Sequence, residues 1–442
     1  MIKLVTEIPG PKARAYLELS RQYEPRSMSE QPPVVWADAR GVWVTDVDGN
    51  TFLDFSSGVL VANAGHSHPR IVKEIREQAG RVINCYDFVN QYRPALARKL
   101  VEITPPNLDR AFILTTGSET TEAAMKMARK HTGRKEIIAF QGAFHGRTYG
   151  AMSAGGKRSG AGTRGFGPFL PQVYLAPFAH CYRCVFDKTY PQCDTWCFDY
   201  LDWFVETETE SDIAAVITET YQGGAGSIIP PPEWMAKLDR WCRARDIVLI
   251  IDEVQASFGR TGKLFGFQHY QVTPNLLCLG KGISSTLPVA AVVGEARIMD
   301  ALGPGSMSST HGGNPLGARA ALANIDVIIE EKLPENAARL GEHLGPRFDE
   351  MMKKHPCLGD ARGMGLVWGL EIVKDQATKQ PDAELAQRVV LEACQRGLLM
   401  IAPIGSYGNV LRLAPPLVIT EQELDTGVDI LDATLSAATG DS

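Results

Sequence analysis

The stretch Ile247-Val248-Leu249-Ile250-Ile251, followed directly by Asp252-Glu253-Val254-Gln255, indicates the fold class. An uninterrupted apolar run rich in β-branched residues is typical of a parallel strand that is buried on both faces of a sheet. In an α/β sheet, such a strand carries the residue that follows it to the carboxyl edge, where ligands bind. We therefore predict that Asp252 lies at a binding site.

A lysine downstream of this strand suggests which ligand is bound. Lys281 lies in the small-residue context Leu279-Gly280-Lys281-Gly282. A loop lysine combined with an aspartate at a strand end is typical of a pyridoxal phosphate site. The lysine amine forms the Schiff base, and the buried carboxylate keeps the pyridine nitrogen protonated. Neither residue is decisive alone, because most lysines are solvated surface groups and an aspartate after a strand is often a helix N-cap.

A third element predicts an anion site. Residues 111–115 read as a short apolar strand, Thr116-Gly117-Ser118-Glu119 as a turn, and the following residues as a strong helix former. Free N–H groups and the positive end of the helix dipole would face a phosphate, with the Ser118 hydroxyl as a further donor. An ordinary N-cap is the alternative interpretation. Phe144, in Phe144-His145-Gly146-Arg147, could stack on a flat cofactor, although an isolated Phe is usually part of the core.

Taken together, these residues and their order resemble the class III (omega-amino acid) aminotransferase family of fold-type I pyridoxal phosphate enzymes. The resemblance runs from about Trp36 to about Leu431. The matching motifs include Asp48-Gly49-Asn50, Gly65-His66-Ser67-His68-Pro69, Gly117-Ser118-Glu119, Phe144-His145-Gly146-Arg147-Thr148, Asp252-Glu253-Val254-Gln255, Phe258-Gly259-Arg260-Thr261-Gly262, Lys281, Thr310-His311-Gly312-Gly313-Asn314-Pro315 and Arg412-Leu413-Ala414-Pro415-Pro416.

The predicted architecture is α/β, with a large, mainly parallel sheet wrapped by helices and a smaller α/β domain. We expect residues 1–60 to join the small domain, residues 61–325 to form the cofactor domain with a cysteine-rich insertion at about 178–205, and residues 326–442 to form the small domain. Residues 363–372 read as one strand broken by glycines. The predicted strands of the large sheet are residues 111–115, 137–140, 214–218, 247–251, 276–279 and 289–293.

The resemblance also implies roles for single residues. Lys281 would bind the cofactor aldehyde and shuttle a proton, and Asp252 would make the cofactor ring an electron sink. Thr310 matches a phosphate ligand that one subunit donates to the site of the other, which implies a homodimer or a dimer of dimers with shared sites. The implied cofactor contacts are Gly117, Ser118, Phe144, His145, Glu219, Asp252, Val254, Gln255, Lys281 and Thr310.

Substrate choice depends on carboxylate anchors. In the family, the arginine matching Arg412 clamps the substrate α-carboxylate, and the one matching Arg147 takes a distal carboxylate in 4-aminobutyrate-type members. Holding both would suit glutamate or 2-oxoglutarate; a surface ion pair is the alternative for either arginine. Gly224 stands where many ω-amino acid members carry a glutamate that neutralises the arginine matching Arg412. Without that glutamate, we expect a preference for substrates that bear an α-carboxylate.

Two catalytic functions are compatible with this scaffold, whereas a non-catalytic role in binding or regulation is disfavoured because every expected catalytic position is filled. The first is an aminotransferase that moves an amino group from an amino acid or amine to a 2-oxo acid such as 2-oxoglutarate or pyruvate. The second is an amino acid racemase or epimerase, which returns the proton to the opposite face of the same carbon. Parts of the chain also resemble dialkylglycine decarboxylase, which places a glutamine after the glycine matching Gly58. Here that position is Val59, which cannot hydrogen-bond a carboxylate, so decarboxylation is disfavoured.

The cysteines leave a question open. Four of nine fall in Cys181-Tyr182-Arg183-Cys184 and Cys193-Asp194-Thr195-Trp196-Cys197. Two close pairs are typical of a zinc site, but free thiols in a local subdomain and disulfides are also compatible with the sequence. No metal site is assigned. His66 and His68 are interpreted as part of a turn.

Composition excludes several classes of protein. The chain of 442 residues has a net charge of −6, with charges mixed along its length, so no nucleic-acid partner is expected. No apolar run approaches the roughly 18 residues of a membrane span, and the N-terminal residues lack the apolar stretch of a signal peptide. We therefore expect a cytoplasmic protein that acts on small molecules.

Overall fold

The computed structural model describes residues 1–28, 30–156 and 163–440. The N-terminal part begins with a helix whose first residue is proline, which has the backbone φ that a helix start requires and lacks an N–H that would stay unpaired there. Its elements are α1 (Pro11–Tyr23), β1 (Trp36–Arg40), β2 (Trp43–Asp46), β3 (Thr51–Asp54), α2 (Ser57–Leu60), α3 (Pro69–Ala79) and α4 (Tyr92–Ile103).

The central part alternates strands and helices. Short 3₁₀ helices at Cys181–Arg183, Gly266–His269 and Lys281–Ile283 interrupt its loops. Its elements are β4 (Arg110–Leu114), α5 (Gly117–Thr132), β5 (Glu136–Phe140), α6 (Tyr149–Ser153), β6 (Val173–Ala176), α7 (Trp196–Glu208), β7 (Ile213–Glu219), α8 (Pro232–Ala244), β8 (Val248–Asp252), β9 (Leu276–Leu279), β10 (Ala290–Gly294) and α9 (Ala296–Met299).

These strands form one seven-stranded sheet in the order β4-β10-β9-β8-β7-β5-β6. The pairs from β6 to β9 are parallel, whereas β10 runs antiparallel to both of its neighbours. The predicted α/β class and mainly parallel sheet are therefore confirmed. In the register, Glu219 of β7 lies beside Asp252 of β8, so both carboxylates reach the same carboxyl edge. Every residue of β8 is buried, as the apolar run predicts.

The strands outside the seven-stranded sheet form two small sheets. One is antiparallel, in the order β11-β12-β14, and the other has the order β1-β2-β3-β13. In the second sheet Leu398 pairs in parallel with Leu53, so the N-terminal strands pair with a C-terminal one. The elements are α10 (Pro315–Glu330), α11 (Leu333–Lys354), β11 (Leu358–Met364), β12 (Val367–Ile372), α12 (Ala383–Gln395), β13 (Leu398–Leu399), β14 (Val410–Leu413) and α13 (Glu421–Thr439).

One predicted element is wrong. Residues 363–372 are not a single strand; they form the end of β11, a turn and β12, which pair as a hairpin. The turn requires Gly365, which has φ +55° and lies so close to the Thr261 carbonyl carbon that a Cβ would approach it to 2.4 Å. The predicted division into residues 1–60, 61–325 and 326–442 stays a prediction, and its second boundary falls inside α10.

Among the described residues, no helix is both long enough and apolar enough to cross a bilayer.

Candidate active site

A cavity of about 840 Å³ opens at the carboxyl edge of the seven-stranded sheet. Its wall includes the ends of β7 and β8, the start of α5 and the loop before β14. Thr310 is the exception among the predicted site residues: it is exposed and does not line this cavity. The predicted site residues in the wall are Val59, Gly117, Ser118, Phe144, His145, Arg147, Glu219, Asp252, Val254, Gln255, Lys281 and Arg412.

Asp252 is held in place by two hydrogen bonds and is only 5% exposed. Nδ1–H of His145 donates to its Oδ2 at 2.7 Å, and the Val254 N–H donates to its Oδ1 at 3.0 Å. Burial by itself lowers the pKa of His145, but the hydrogen bond and charge of Asp252, with the charge of Glu219, raise it above the ordinary value. The His145 hydrogen bond therefore fixes the orientation of the Asp252 carboxylate.

Glu219 shapes the loop that carries Phe144 and His145. Its Oε1 accepts from the Phe144 N–H at 2.9 Å, and its Oε2 accepts from the Gly223 N–H at 3.0 Å. Burial raises the pKa of Glu219 to about 7, against the opposing effect of the His145 charge. Since Glu219 and Asp252 are neighbours on adjacent strands, the histidine between them limits their mutual repulsion.

Lys281 directly follows the extended Gly280 and begins a 3₁₀ helix. Its φ of +44° is unusual for a residue with a side chain, and such backbone strain is concentrated at functional sites. Burial lowers the pKa of Lys281, against the attraction of Asp252 and together with the repulsion of Arg412. A lysine with a lowered pKa has a larger neutral fraction at neutral pH, so its amine can act as a nucleophile.

The start of α5 is built to bind an anion. The Thr116 side chain accepts from the Glu119 N–H, and the Glu119 carboxylate accepts from the N–H groups of Thr115 and Thr116. No described residue accepts from the N–H of Gly117 or Ser118. The Ser118 Oγ accepts from the Arg147 N–H at 3.1 Å, so its hydroxyl hydrogen can be donated to a ligand.

These groups fit pyridoxal phosphate. A Cβ at Gly117 would come within 2.9 Å of Val254 Cγ1, so glycine is required where the anion cradle meets the strand end. The His145 Nε2 is buried and has no hydrogen-bond partner among the described residues, which leaves a polar group available at this edge of the cavity. A nucleophilic amine, a buried carboxylate and a phosphate cradle therefore meet in one cavity.

The substrate side of the cavity contains Arg412, which is 5% exposed. Burial lowers its pKa to about 10, against the opposing effect of Tyr221. Among the described residues, no carboxylate forms an ion pair with its guanidinium. Gly224 lies in the same wall, where a Cβ would come within 3.0 Å of Phe144 Cβ. Arg147 is exposed, and its guanidinium carbon lies 5.6 Å from the Phe144 ring centroid.

Val59 reaches the cavity from an unusual turn. Ser57, Gly58, Val59 and Leu60 all have positive φ, between +49° and +66°, so α2 is a left-handed turn. A β-branched residue such as valine is disfavoured there, and the surrounding structure must hold it. The Asp54 carboxylate does so by accepting from the N–H groups of Ser56 and Ser57, at 2.7 and 3.0 Å.

Sequence reasoning missed Arg260, the residue that links this turn to the segment directly after β14, the strand of Arg412. Its Nη2 donates to Ser57 Oγ at 3.2 Å and to Asn63 Oδ1 at 2.8 Å. Its Nη1 donates to the Leu366 carbonyl at 2.9 Å and to the Pro415 carbonyl at 2.6 Å. The motif Phe258-Gly259-Arg260-Thr261-Gly262 pointed to the region, but the sequence does not show which distant acceptors the arginine reaches.

Three further contacts were not predicted. The Tyr221 hydroxyl donates to Gln255 Oε1 at 3.0 Å, and both residues line the cavity. The histidines interpreted as a turn each have a carboxylate partner: His66 Nε2 lies 2.7 Å from Asp54 Oδ2 and His68 Nε2 lies 3.1 Å from Glu331 Oε1. The two partners are different, so these histidines do not share an acidic partner.

Comparisons with known proteins agree with this site. Residues 25–435 match the sequence model of the class III aminotransferases. A probable 4-aminobutyrate aminotransferase of Bacillus subtilis (strain 168) is 37% identical over 90% of this chain and 92% of its own length. The leucine/methionine racemase of Thermococcus litoralis is 36% identical over 94% of each chain.

Among solved structures, the ornithine aminotransferase of Toxoplasma gondii, which has pyridoxal phosphate at partial occupancy in its active site, superposes with a TM-score of 0.86. It is 29% identical and covers 97% of this chain and 95% of its own. This chain therefore belongs to the class III aminotransferase family of fold-type I enzymes, which use pyridoxal 5'-phosphate as their cofactor.

Proposed function

We propose that this aminotransferase takes its amino group from an α-amino acid and passes it to a 2-oxo acid such as 2-oxoglutarate or pyruvate. The observation that carries the proposal is the buried Arg412 guanidinium, which faces the cavity with no carboxylate partner among the described residues. A substrate carboxylate would supply the missing charge and form a charge-assisted, bidentate contact.

The cofactor side of the cavity suggests how residues divide the work. Bound pyridoxal phosphate supplies an aldehyde for the amine and a ring that accepts electrons from the substrate carbon. We propose that Lys281 binds the aldehyde carbon through Nζ and, once released, moves the proton at the substrate α-carbon. Asp252 would hold a proton on the ring nitrogen, and the His145 hydrogen bond keeps that carboxylate oriented.

We further propose that the N–H groups of Gly117 and Ser118 hold the phosphate. From the resemblance, we propose that Val254 and Phe144 would pack against the ring and that Gln255 would contact the ring oxygen. Glu219 supports this arrangement indirectly, since it holds the backbone of Phe144 rather than the cofactor itself. Each assignment rests on a residue of the cavity wall.

Arg147 is proposed as the anchor for a distal carboxylate. It is exposed at the cavity mouth and forms no ion pair with a described residue. A dicarboxylate such as glutamate or 2-oxoglutarate could therefore contact Arg412 with one end and Arg147 with the other. Because an exposed arginine is well solvated, this second contact contributes less than the first.

A racemase or epimerase is the second candidate function, and the similarity to a leucine/methionine racemase favours it. In that case Lys281 would serve one face of the α-carbon and a water or another side chain the opposite face. Decarboxylation is less favoured because Val59, in the cavity wall, offers no hydrogen-bond donor to a carboxylate.

One experiment separates the two candidates. The holoenzyme is incubated with single enantiomers of amino acids, with and without 2-oxoglutarate or pyruvate, and both optical rotation and amino acid products are followed. An absolute requirement for the oxo acid supports amino transfer. Loss of optical activity without any oxo acid identifies an isomerase and contradicts the proposal.

We also propose a homodimer, or a dimer of dimers, that completes each site. Thr310 lies outside its own chain's cavity, near a loop that exposes Phe88 (78%) and Val89 (81%). The Tyr86 hydroxyl of this loop lies 3.4 Å from Ser308 Oγ, so the apolar residues and Thr310 share a surface. Mixing Thr310→Ala with Lys281→Ala chains should restore some activity if sites are shared, and should not if each chain acts alone.

A cytoplasmic location stays a prediction.

A further inference from the structure

A second, small cavity lies outside the active site, in the cysteine-rich segment. Its volume is about 20 Å³, and Cys181, Cys184, Cys193 and Cys197 all line it. A cavity of this size holds one water molecule or one ion and is too small for an organic ligand. The sequence motif and the three-dimensional arrangement therefore single out the same four thiols.

Local structure brings these cysteines together. Cys181 begins the 3₁₀ turn Cys181–Arg183, and Cys184 directly follows it. Cys193 lies in a turn in which its carbonyl accepts a hydrogen bond from the Trp196 N–H at 3.0 Å. Cys197 lies in the first turn of α7. All four carry free thiols, so neither pair is a disulfide in this structure.

The four cysteines line the cavity, but their sulfurs are not yet at the mutual distances of metal ligands. Among the described residues, only His343, Glu421 and Asp425 place three metal-binding atoms within 4.8 Å of one another. That surface cluster already pairs its carboxylates with Arg339 and Arg347. At the cysteine cavity, binding would therefore require the four thiols to move closer together.

The chemistry of the cavity favours a soft divalent cation. Four cysteines line one cavity of ion size, and thiolate sulfur is a soft ligand that selects zinc over hard cations such as Mg²⁺ and Ca²⁺. His180 also lines the cavity; its Nε2 is buried and has no partner among the described residues. Lys188, another wall residue, could offset the charge of a metal–thiolate centre.

We propose that Cys181, Cys184, Cys193 and Cys197 bind one zinc ion tetrahedrally. The thiols release four protons to solvent, and Zn²⁺ with four thiolates leaves a centre of net charge −2, with no change of oxidation state. Four thiolates in two close pairs are the ligand set that zinc prefers among the common divalent metals. This site is independent of the proposed reaction.

The zinc ion would stabilise the contacts of the cysteine-rich segment with the C-terminal part of the chain. Arg183, between two of the ligands, pairs with the buried Glu371 of β12 and lies 5.3 Å from the Tyr407 ring. Tyr407 follows residues 401–404, which line the active-site cavity. Fixing the turn around Arg183 therefore fixes a contact with the loop that bounds the substrate side.

Metal analysis of the untagged holoenzyme, grown with zinc and washed free of loose metal, tests the proposal. We expect about one zinc per chain, retained through gel filtration. Cys184→Ser and Cys193→Ser should each reduce the zinc content at least tenfold. Cys85→Ser removes a free thiol outside the cluster and should leave the zinc content unchanged. Replacing zinc by Co²⁺ should give the red-region absorption of tetrahedral cobalt thiolate, which the cofactor does not obscure.

Native thiol titration covers the case in which the serine variants fail to fold. In wild type, a zinc chelator should increase the number of reactive thiols by up to four and lower the unfolding temperature. Four reactive thiols before chelation, with no zinc bound, would overturn the proposal. A mass lower by two or four hydrogens under non-reducing conditions would assign the cysteines to disulfides instead.

Discussion

The two halves of the active-site cavity differ in how far their charges are already paired. On the cofactor side, Asp252 and Glu219 accept hydrogen bonds from His145 and from backbone N–H groups. On the substrate side, Arg412 and Arg147 form no ion pair with any described residue. The paired half is prepared for a ligand that stays in place, whereas the unpaired half is left open for an anion that comes and goes.

A second buried arginine sharpens the comparison. Burial lowers the pKa of both Arg260 and Arg412 to about 10. The terminal nitrogens of Arg260, however, donate to neutral oxygens, among them the carbonyls of Leu366 and Pro415. Burial alone therefore does not identify a binding arginine; the difference lies in whether the protein itself fills the donors.

Removing the amine of Lys281 should have the largest effect. We expect Lys281→Ala to lose the covalent bond to the cofactor and all measurable turnover, because one nitrogen both binds the cofactor and moves the proton. Borohydride reduction of wild type, followed by peptide mapping, checks the attachment. Cofactor found on a peptide that lacks Lys281 would show that the nucleophile is another residue.

Changing the hydrogen-bonded carboxylate of Asp252 should have the second-largest effect on activity. Asp252→Asn is nearly isosteric but cannot hold the ring nitrogen protonated, so the cofactor should still bind while kcat falls by several orders of magnitude. Glu219→Gln is the matched control, since Glu219 contacts the loop backbone rather than the ring, and it should cost far less. A variant at position 252 that keeps more than a tenth of wild-type activity would contradict this role.

Removing the unpaired cation of Arg412 should affect one class of substrate more than another. Arg412→Ala should weaken the transition-state binding of α-amino acids by roughly 2 to 5 kcal/mol, the range for truncating one partner of a buried charged pair. Amines without a carboxylate serve as the control and should lose little. Equal losses for both substrate classes, measured as kcat/KM, would mean that the mutation disturbs the cavity rather than a carboxylate contact.

Supplying the missing partner should give the smallest change in rate and a change in preference. Gly224→Glu should pair with Arg412 and shift preference from α-amino acids toward ω-amino acids. Gly224→Ala is the necessary control, because any Cβ there comes within 3.0 Å of Phe144 Cβ. If alanine shifts the preference as much as glutamate does, the cause is steric and the charge argument fails.

Local sequence indicated several residues that the structure brings together on the cofactor side of the cavity. The apolar run ending at Asp252 and the small-residue context of Lys281 are both short-range signals, and the two residues line the same cavity. The start of α5 was equally clear, because strand, turn and helix follow one another directly. The resemblance to a family then supplied the substrate half, where each residue comes from a distant segment.

The remaining features depend on contacts that a local pattern does not encode. The hairpin around Gly365 was missed because its turn is fixed by packing against Thr261 rather than by turn residues alone. The left-handed turn containing Val59 contradicts local propensity and is held by Asp54 and Arg260. β6 (Val173–Ala176) also escaped prediction, and only Ala176 of its four residues is buried, so it lacks the fully buried pattern of the predicted strands β8 and β9.

The central claim is that an unpaired Arg412 selects substrates with an α-carboxylate, and one pair of substrates tests it directly. Glutamate and 4-aminobutyrate differ only by that carboxylate. With a common oxo acid acceptor, we expect kcat/KM of the wild-type enzyme to favour glutamate by at least about 30-fold, which corresponds to roughly 2 kcal/mol. A kcat/KM for 4-aminobutyrate equal to or above that for glutamate would contradict the claim and show that Arg412 is neutralised within the protein.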